Sequence, residues 1–577
     1  MKIKHLFGLA VIAAMTASCS SNEDLGTAGP GTGTNESGVG YATFTINLPS
    51  VSGTRAADAG GAEVNPGSED EYTVSDATAL IFQEYGADEG SYKFVESVNL
   101  PVTGAWEDAG GGVTKSKKLV AKLTNVDTKN TYGVLVLLNN NITGGVKIAL
   151  PTAGQSYNDW NNTVLSPDLA ELAKTGEFYM ANAPLCESGK VTTLVTIDKT
   201  KIYATETEAK TKTSADVYVE RGVAKMTVAD PGKITVKDKA TSVETKSEVT
   251  FNKWALDITN KKTFAVHNID GLSKKFPAIW TTARFSGLNS RVYWGKDPNY
   301  DNEDLKKNDA TGDDLRDKEF NSITAISEIN KDFTTTTATN PVYCLENTFN
   351  LANMYQGQTT RVIFKAKYAP MNDAGVSLAE TDGTFYTIGN MKNILKEADL
   401  VAAVNAAATS VLSGCTVDYE ANLKKEGSHV ITLADIKDAS GATLVADQDY
   451  GGTTGKDIVA AINDKLGLKT GRKEEMVGIN TYLKGVTYYI ARVKHFGDAL
   501  TEWKSGENYG DNNDKYLGRY GMLRNNWYEL KVGNVYGPGY PGVPPVDPNQ
   551  PDDENEKYLS VSVKILDWAK RSQSVDL

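Results

Sequence analysis

Leu559, Val561, Val563 and Ile565 fall at every second position near the C-terminal end, with Ser560, Ser562 and Lys564 between them. Side chains of an extended chain alternate between two faces, so this spacing predicts a strand with one face to bury. The segment before it, Gly537–Glu556, is rich in Pro and ends in the acidic run Asp552–Glu556. Pro offers no N–H to a sheet or helix, so the segment is expected to act as an extended, solvated tether. A strand on a tether can reach beyond its own domain.

A second stretch has the same pattern. Ala42, Phe44, Ile46 and Leu48 alternate with Thr43, Thr45 and Asn47 until Pro49 ends the run. Shortly after comes Ser52-Gly53-Thr54-Arg55-Ala56-Ala57, a small-residue loop around one Arg that suits a trypsin-like protease. Cleavage between Arg55 and Ala56 would detach the early strand, and the terminal strand of another copy could take its place. Two ordinary edge strands and a solvated Arg55 fit the same residues.

The length of 577 residues exceeds what one core organises and points to several domains. Thr, Val, Tyr and Gly are plentiful, which favours β-structure, and 40% of residues are hydrophobic. A formal net charge of -13 argues against a nucleic-acid partner, which requires a concentrated basic face. At the N-terminus, Lys2 and Lys4 precede the apolar run Leu6–Met15 and then Thr16-Ala17-Ser18-Cys19. That order reads as an export signal, and Cys19 in this setting resembles a bacterial lipobox, which implies a lipid anchor in a membrane leaflet. Cys186, Cys344 and Cys415 are widely spaced without a CxxC, so they read as small buried hydrophobes rather than disulfides or a zinc site.

Along the chain, Ser20–Gly40 is a polar, Gly-rich spacer. The unbroken apolar run Val134–Leu138 predicts a central strand covered on both faces, and Pro167–Thr175 a short helix. Asp216–Val228 reads as a strand with a bulge at Gly222, near a domain boundary. Asp297–Lys318 is almost wholly polar and is expected to be exposed. Thr359–Tyr368 is a half-exposed strand, Asn393–Ser413 and Ala460–Leu466 are helical, and Tyr482–Val493 and Asn525–Val532 are strands.

Several stretches, taken together, resemble the fimbrillin family of Bacteroidales, specifically the Mfa-like major fimbrillins of type V pili. They are Cys19, Arg55-Ala56, Val219-Glu220-Arg221, Val223-Ala224-Lys225, Leu345-Glu346-Asn347-Thr348, Tyr482 with Lys484-Gly485, Tyr488-Tyr489, Arg524-Asn525-Asn526 with Tyr528, and the ending YLSVSVKILDW with Ser574–Leu577. The resemblance implies a mostly β chain of two transthyretin-like β-sandwich domains with a few short helices and an extended C-terminal donor strand. The expected divisions are a lipoprotein signal over 1–19, a propeptide with a removable strand over 20–55, sandwiches over 56–225 and 226–536, and tether plus donor strand over 537–577. It further implies lipidation at Cys19 in the outer membrane and cleavage at Arg55-Ala56 by an arginine-specific surface protease. The removable strand is then Ala42, Phe44, Ile46 and Leu48, and the donor Leu559, Val561, Val563 and Ile565. Partners would be other copies of the chain, anchor and tip subunits, and a host ligand, with adhesion and colonisation as the output.

Enzymatic signals are poor. The four histidines are scattered without an HExxH, and no GxSxG elbow or P-loop is present, so the reading is a non-enzyme with no cofactor or metal. Asp297-x-Asn299-x-Asp301-x-Glu303 starts like a calcium loop but has Asn302 where Gly is required and Asn308 where the bidentate Glu is required. Rival readings are a tip or anchor subunit, or a glycan-binding surface lipoprotein with Trp254, Trp280 and Trp294 as an exposed stacking face.

Overall fold

The computed structural model describes residues 34, 38–49, 67–108, 115–127, 129–142, 145–187, 190–277, 290–292, 294–306, 314–333, 341–389, 393–420, 422–468, 478–496, 501–504, 509, 514–546, 552, 559–566 and 571–572. The chain is mostly β, with several sheets and few helices. The first large sheet contains β1 (Gly40–Asn47), β2 (Ala77–Gln83), β3 (Lys93–Leu100), β4 (Glu107–Asp108), β5 (Lys115–Leu123), β6 (Tyr132–Leu138), β7 (Met180–Asn182) and β8 (Ala215–Arg221). In space the order is β3-β2-β6-β7-β8-β1-β5-β4. Three short helices pack around it: α1 (Tyr157–Asn161), α2 (Leu169–Leu172) and α3 (Glu206–Thr211). The sheet curls until its ends approach, and Glu96 of β3 accepts hydrogen bonds from Thr124 N at 3.0 Å and Asn125 N at 2.9 Å just beyond β5. β6 lies between β2 and β7 and is buried along its whole length, as its unbroken apolar run requires.

The chain passes from β8 into β9 (Ala224–Val228), a strand of a different sheet, rather than continuing one bulged strand. Gly222 makes the crossing because an added Cβ would lie 2.8 Å from the Tyr179 ring. Downstream strands are β10 (Lys233–Lys237), β11 (Glu244–Asp257), β12 (Val342–Cys344), β13 (Arg361–Ala369), β14 (Phe385–Ile388), β15 (Gly427–His429), β16 (Ile479–Tyr482), β17 (Val486–Arg492), β18 (Trp527–Val535), β19 (Leu559–Leu566) and β20 (Arg571–Ser572). Two sheets, β12-β9-β18-β19-β20 and β10-β11-β13-β17, share a core in which Met226, Tyr528 and Leu530 from one meet Phe251, Phe364 and Tyr489 from the other. Phe251 and Phe364 pack edge to face at 5.7 Å, a geometry that aromatic quadrupoles favour.

Between β13 and β17 the chain leaves this sandwich and builds a separate core. The helices α4 (Glu397–Val411) and α5 (Gly455–Lys465) bury Leu400, Val404, Ile458 and Ile462 beside the small sheet β14-β16-β15. The expected continuous strand Tyr482–Val493 is broken where the chain returns. Lys484 and Gly485 both adopt positive φ, 51° and 74°, and at Gly485 an added Cβ would lie 2.7 Å from the Tyr368 carbonyl oxygen.

Two segments expected to be solvated are interior in part. Asp297, Asn299, Tyr300 and Leu305 are buried, whereas Asp301, Glu303, Asp304, Asp317 and Lys318 of the expected exposed Asp297–Lys318 loop are exposed. The Pro-rich segment is docked, not free, over Gly537–Val546. Tyr540 forms a bridge with Tyr488 of β17, Tyr489 Oη donates to the Gly537 carbonyl at 2.7 Å, and Arg361 Nη2 donates to the Pro544 carbonyl at 2.8 Å. Asp552, expected to be solvated, is fully buried and pairs with Arg492 Nε at 2.6 Å while accepting from Thr359 Oγ1 at 2.8 Å. These contacts work because a segment short of N–H donors still presents carbonyls: Arg361 and Thr487 donate to those of prolines, and Tyr482 and Tyr489 to those of Gly539 and Gly537. Asp552→Ala should cost up to about 3–5 kcal/mol by removing a buried carboxylate that pairs with the Arg492 charge. Urea unfolding reads the loss, and limited proteolysis should show earlier cutting beyond Gly537.

Candidate functional site

β1 is an interior strand with a neighbour on each side. It runs parallel to β8, with Phe44 opposite Ala215 and Ile46 opposite Val217, and antiparallel to β5, with Ala42 opposite Ala121 and Phe44 opposite Leu119. Ala42, Phe44 and Ile46 have no exposure and Leu48 has 1%. The opposite face is covered as well. Thr43 Oγ1 donates to the Ala209 carbonyl at 2.7 Å at the end of α3, Thr43 N donates to Ser214 Oγ at 3.0 Å, and Asn47 is also buried. Lifting β1 out would therefore uncover an apolar trough and unpaired edges on both β5 and β8.

The terminal strand β19 lies antiparallel to β18, with Leu530 opposite Val563 and Val532 opposite Val561. Among the described residues its outer neighbour is the two-residue β20. The two halves share a local order. β7-β8-β1-β5 and β12-β9-β18-β19 both run antiparallel, parallel, antiparallel. Within its own half, β19 thus occupies the position that β5 occupies in the other, one strand beyond the equivalent of β1.

Most of the remaining motif residues converge where β8 becomes β9. Lys225 Nζ lies 2.6 Å from Glu71 Oε1 and 3.8 Å from the centre of the Trp527 ring. Tyr343 Oη also donates to Glu71, at 2.5 Å, and Arg221 Nε donates to the Glu71 carbonyl at 2.7 Å. Glu346 pairs with Arg524 Nε at 3.1 Å, Asn525 takes a positive φ of 56°, and its Oδ1 accepts from Arg221 N at 3.2 Å. Burial pushes the Glu71 carboxyl up, but Lys225 and Arg221 beside it, with the hydrogen bonds from Lys225 and Tyr343, hold it below its usual value. This is a clamp between the two halves, built from charges too buried to remain unpaired.

Nearby, Asp297 accepts from Thr348 N at 2.5 Å, Asn299 N at 2.6 Å and Asn260 Nδ2 at 2.8 Å. Burial nevertheless pushes it up to about 8. Its oxygens are consumed by the protein's own donors, so the calcium-like spacing serves packing. His267 pairs with Glu220 at 2.7 Å and His495 with Tyr528 Oη at 2.9 Å in separate places. Trp254 and Trp294 are buried, with 1% and no exposure. Cys19, Arg55, Ala56 and Trp280 lie outside the described residues, as do the side chains of Leu559, Val561, Val563 and Ile565.

Residues 480–574 match the family model described as "Major fimbrial subunit protein type IV, Fimbrillin, C-terminal". No curated protein matches the chain. Among solved structures, a "putative cell adhesion protein" of Parabacteroides distasonis is similar at 11% identity and TM-score 0.36, with 92% of this chain and 98% of that one covered. A fimbrial assembly protein of the same organism is similar at 12% identity and TM-score 0.28, covering 61% of this chain and 93% of that one. At those scores neither likeness bears on function.

The clamp sets a pH dependence. Because the folded pKa of Glu71 lies below its ordinary 4.5, its contribution is whole above that pH and lost as the pH falls through the folded value. In urea unfolding, Glu71→Gln should be less stable than the native chain at neutral pH, and the difference should shrink in more acidic buffer. Lys225→Met, which takes from the buried Glu71 carboxylate its ion-pair partner and leaves it with the Tyr343 hydroxyl and the nearby Arg221 charge, should cost up to about 3–5 kcal/mol at neutral pH, more than the double variant Glu71→Gln/Lys225→Met.

Proposed function

We propose that this chain, whose residues 480–574 match the fimbrillin C-terminal family model, is a structural subunit of a surface fimbria that polymerises by strand exchange. In this reading it is exported as a lipoprotein through Cys19, cut between Arg55 and Ala56, and relieved of β1, whose place is taken by the terminal strand of a neighbouring copy. The observation that carries it is the position of β1. This strand precedes the Arg55 loop in sequence and fills an interior place between β5 and β8. One cut would leave it held only by noncovalent contacts.

The two strands are interchangeable in pattern. Laying Leu559–Ile565 over Ala42–Leu48 puts Val561 on Phe44 and Val563 on Ile46. Ser560 then falls on Thr43 and supplies the hydroxyl that Ala209 accepts, and the Lys564 stem falls on Asn47. Leu559 on Ala42 adds volume where Val561 on Phe44 removes it, so the total is roughly conserved. A slip of one residue would turn Ser and Lys into the trough, which fixes the register.

The energies explain why a cut is required. Burying Phe44, Ile46 and Leu48 is worth about 1.5–3 kcal/mol each. Ordering a strand costs about 1–2 kcal/mol per residue, so either occupant binds by a modest margin. Exchange then depends on the trough being preformed and on the incumbent losing its covalent link, which otherwise gives it a large effective concentration.

Reach is a second constraint. With Asp552 held by Arg492, the seven steps to Leu559 reach at most about 25 Å at ~3.3–3.6 Å per residue. The neighbour's trough must therefore lie close to the docked Pro-rich segment, or Asp552 must let go. The rival reading of an exposed Trp face for glycans is weakened by the burial of Trp254 and Trp294.

Trypsin treatment of purified full-length protein should produce ladders resistant to mild SDS. Arg55→Ala and a truncation after Asn555 should each abolish them. Ladders that persist in either variant contradict strand exchange through these segments.

A further inference from the structure

Away from β1 and the clamp, four chain segments enclose a cavity of about 330 Å³. They are the turn at Asp88–Gly90, helix α1, the stretch Lys190–Thr193 and the loop His267–Lys274. Its size falls at the small end of the ~300–1,000 Å³ typical of ligand pockets. The wall is tightly set. Gly90 has no room for a side chain, since an added Cβ would lie 2.3 Å from Asn158 Nδ2, so the turn sits directly on α1. Glu89 is fixed by backbone donors, accepting from Thr193 N and Leu194 N at 2.9 Å.

What distinguishes the cavity is its orphaned polar atoms. Tyr157 Oη, Thr193 Oγ1 and His267 Nε2 are all buried, all three residues line it, and none makes a well-formed hydrogen bond, although the two hydroxyls neighbour each other and Thr193 neighbours Glu89. Tyr157 is 3% exposed, and Thr193 and His267 1% each. Buried polar atoms are almost always satisfied, so an imidazole nitrogen without a partner beside two incompletely paired hydroxyls marks a place that a hydrogen-bonding guest completes. The imidazole is held in place from behind, with Nδ1 2.7 Å from Glu220 Oε1.

We propose that this cavity binds a small neutral polyhydroxylated molecule of monosaccharide size, whose hydroxyls meet Tyr157, Thr193 and His267. Sugar hydroxyls both donate and accept, as these groups require. The rim carries Asp88 and Asp270 against Lys190 and Lys274, so its charges balance and give neither an anion nor a cation a net attraction. Burial also pushes Glu89 up to about 7, which removes much of its negative charge near neutral pH. The site is independent of strand exchange and would survive its refutation.

The test is saturation-transfer NMR and calorimetry on the full chain with glucose, galactose, mannose and inositol, using phosphate and ethanolamine as charged controls. At least one neutral polyol should bind saturably, and Tyr157→Phe and Thr193→Val should each weaken it about tenfold, as loss of roughly 1.4 kcal/mol implies. Ser273→Trp, at the exposed mouth and outside the core, should block binding with the melting temperature unchanged, which keeps the test decisive if the interior variants fold poorly. Binding of no neutral polyol, preference for a charged control, or affinity indifferent to Ser273→Trp would each overturn the proposal.

Discussion

Everything else in the N-terminal half depends on one strand being interior. β1 joins β8 to β5, so the larger part of the sheet and its β5-β4 flank are continuous only through it. Its two faces are buried by different means, an apolar row toward the core and a hydroxyl hydrogen bond under α3. An interior strand is ordinarily the least replaceable part of a sheet. Here the strand lies shortly before Arg55 in sequence, so the cut proposed there would separate a deeply buried strand from the rest of its sheet.

In the proposed strand exchange the rest of the molecule would serve as support. Charges at the β8-β9 crossing tie Glu71 in the first half to Lys225 and Tyr343 at the second, and Arg524 with Asn525 locks the start of β18 to the same place. A trough that must stay open between occupants has to be held by elements other than its occupant, and a buried ionic clamp does this without contributing to either strand's affinity. The Pro-rich segment belongs to the same support. Its carbonyls are taken by Arg361 and the tyrosines of β16 and β17, which turns most of the expected leash into a fixed mounting.

Local pattern was legible wherever it decides structure by itself. The alternation in β1, the unbroken run of β6 and the Ala-rich helix α4 all form within their expected bounds or a few residues of them. Three features were not legible, for one shared reason. The crossing at Gly222, the break at Lys484-Gly485 and the docking of Gly537–Val546 are each imposed by residues distant in sequence: Tyr179, Tyr368, and the side chains of β13, β16 and β17. The motif residues Glu220, Arg221, Lys225, Glu346 and Arg524 are quotable as a pattern, but the partnership of Glu71 with Lys225 joins positions far apart and leaves no periodic trace. Asp297 reads as a solvent residue until Asn260 and Thr348 are seen around it.

Amide hydrogen exchange at β5 and β8, followed in the intact precursor, the cleaved monomer with residues up to Arg55 removed, and the assembled polymer, tests the account most directly. Strand exchange predicts slow exchange at both edges of the trough in the precursor, fast exchange in the stripped monomer and slow exchange again in the polymer. Edges that stay slow in the stripped monomer, or remain fast in the polymer, would contradict it.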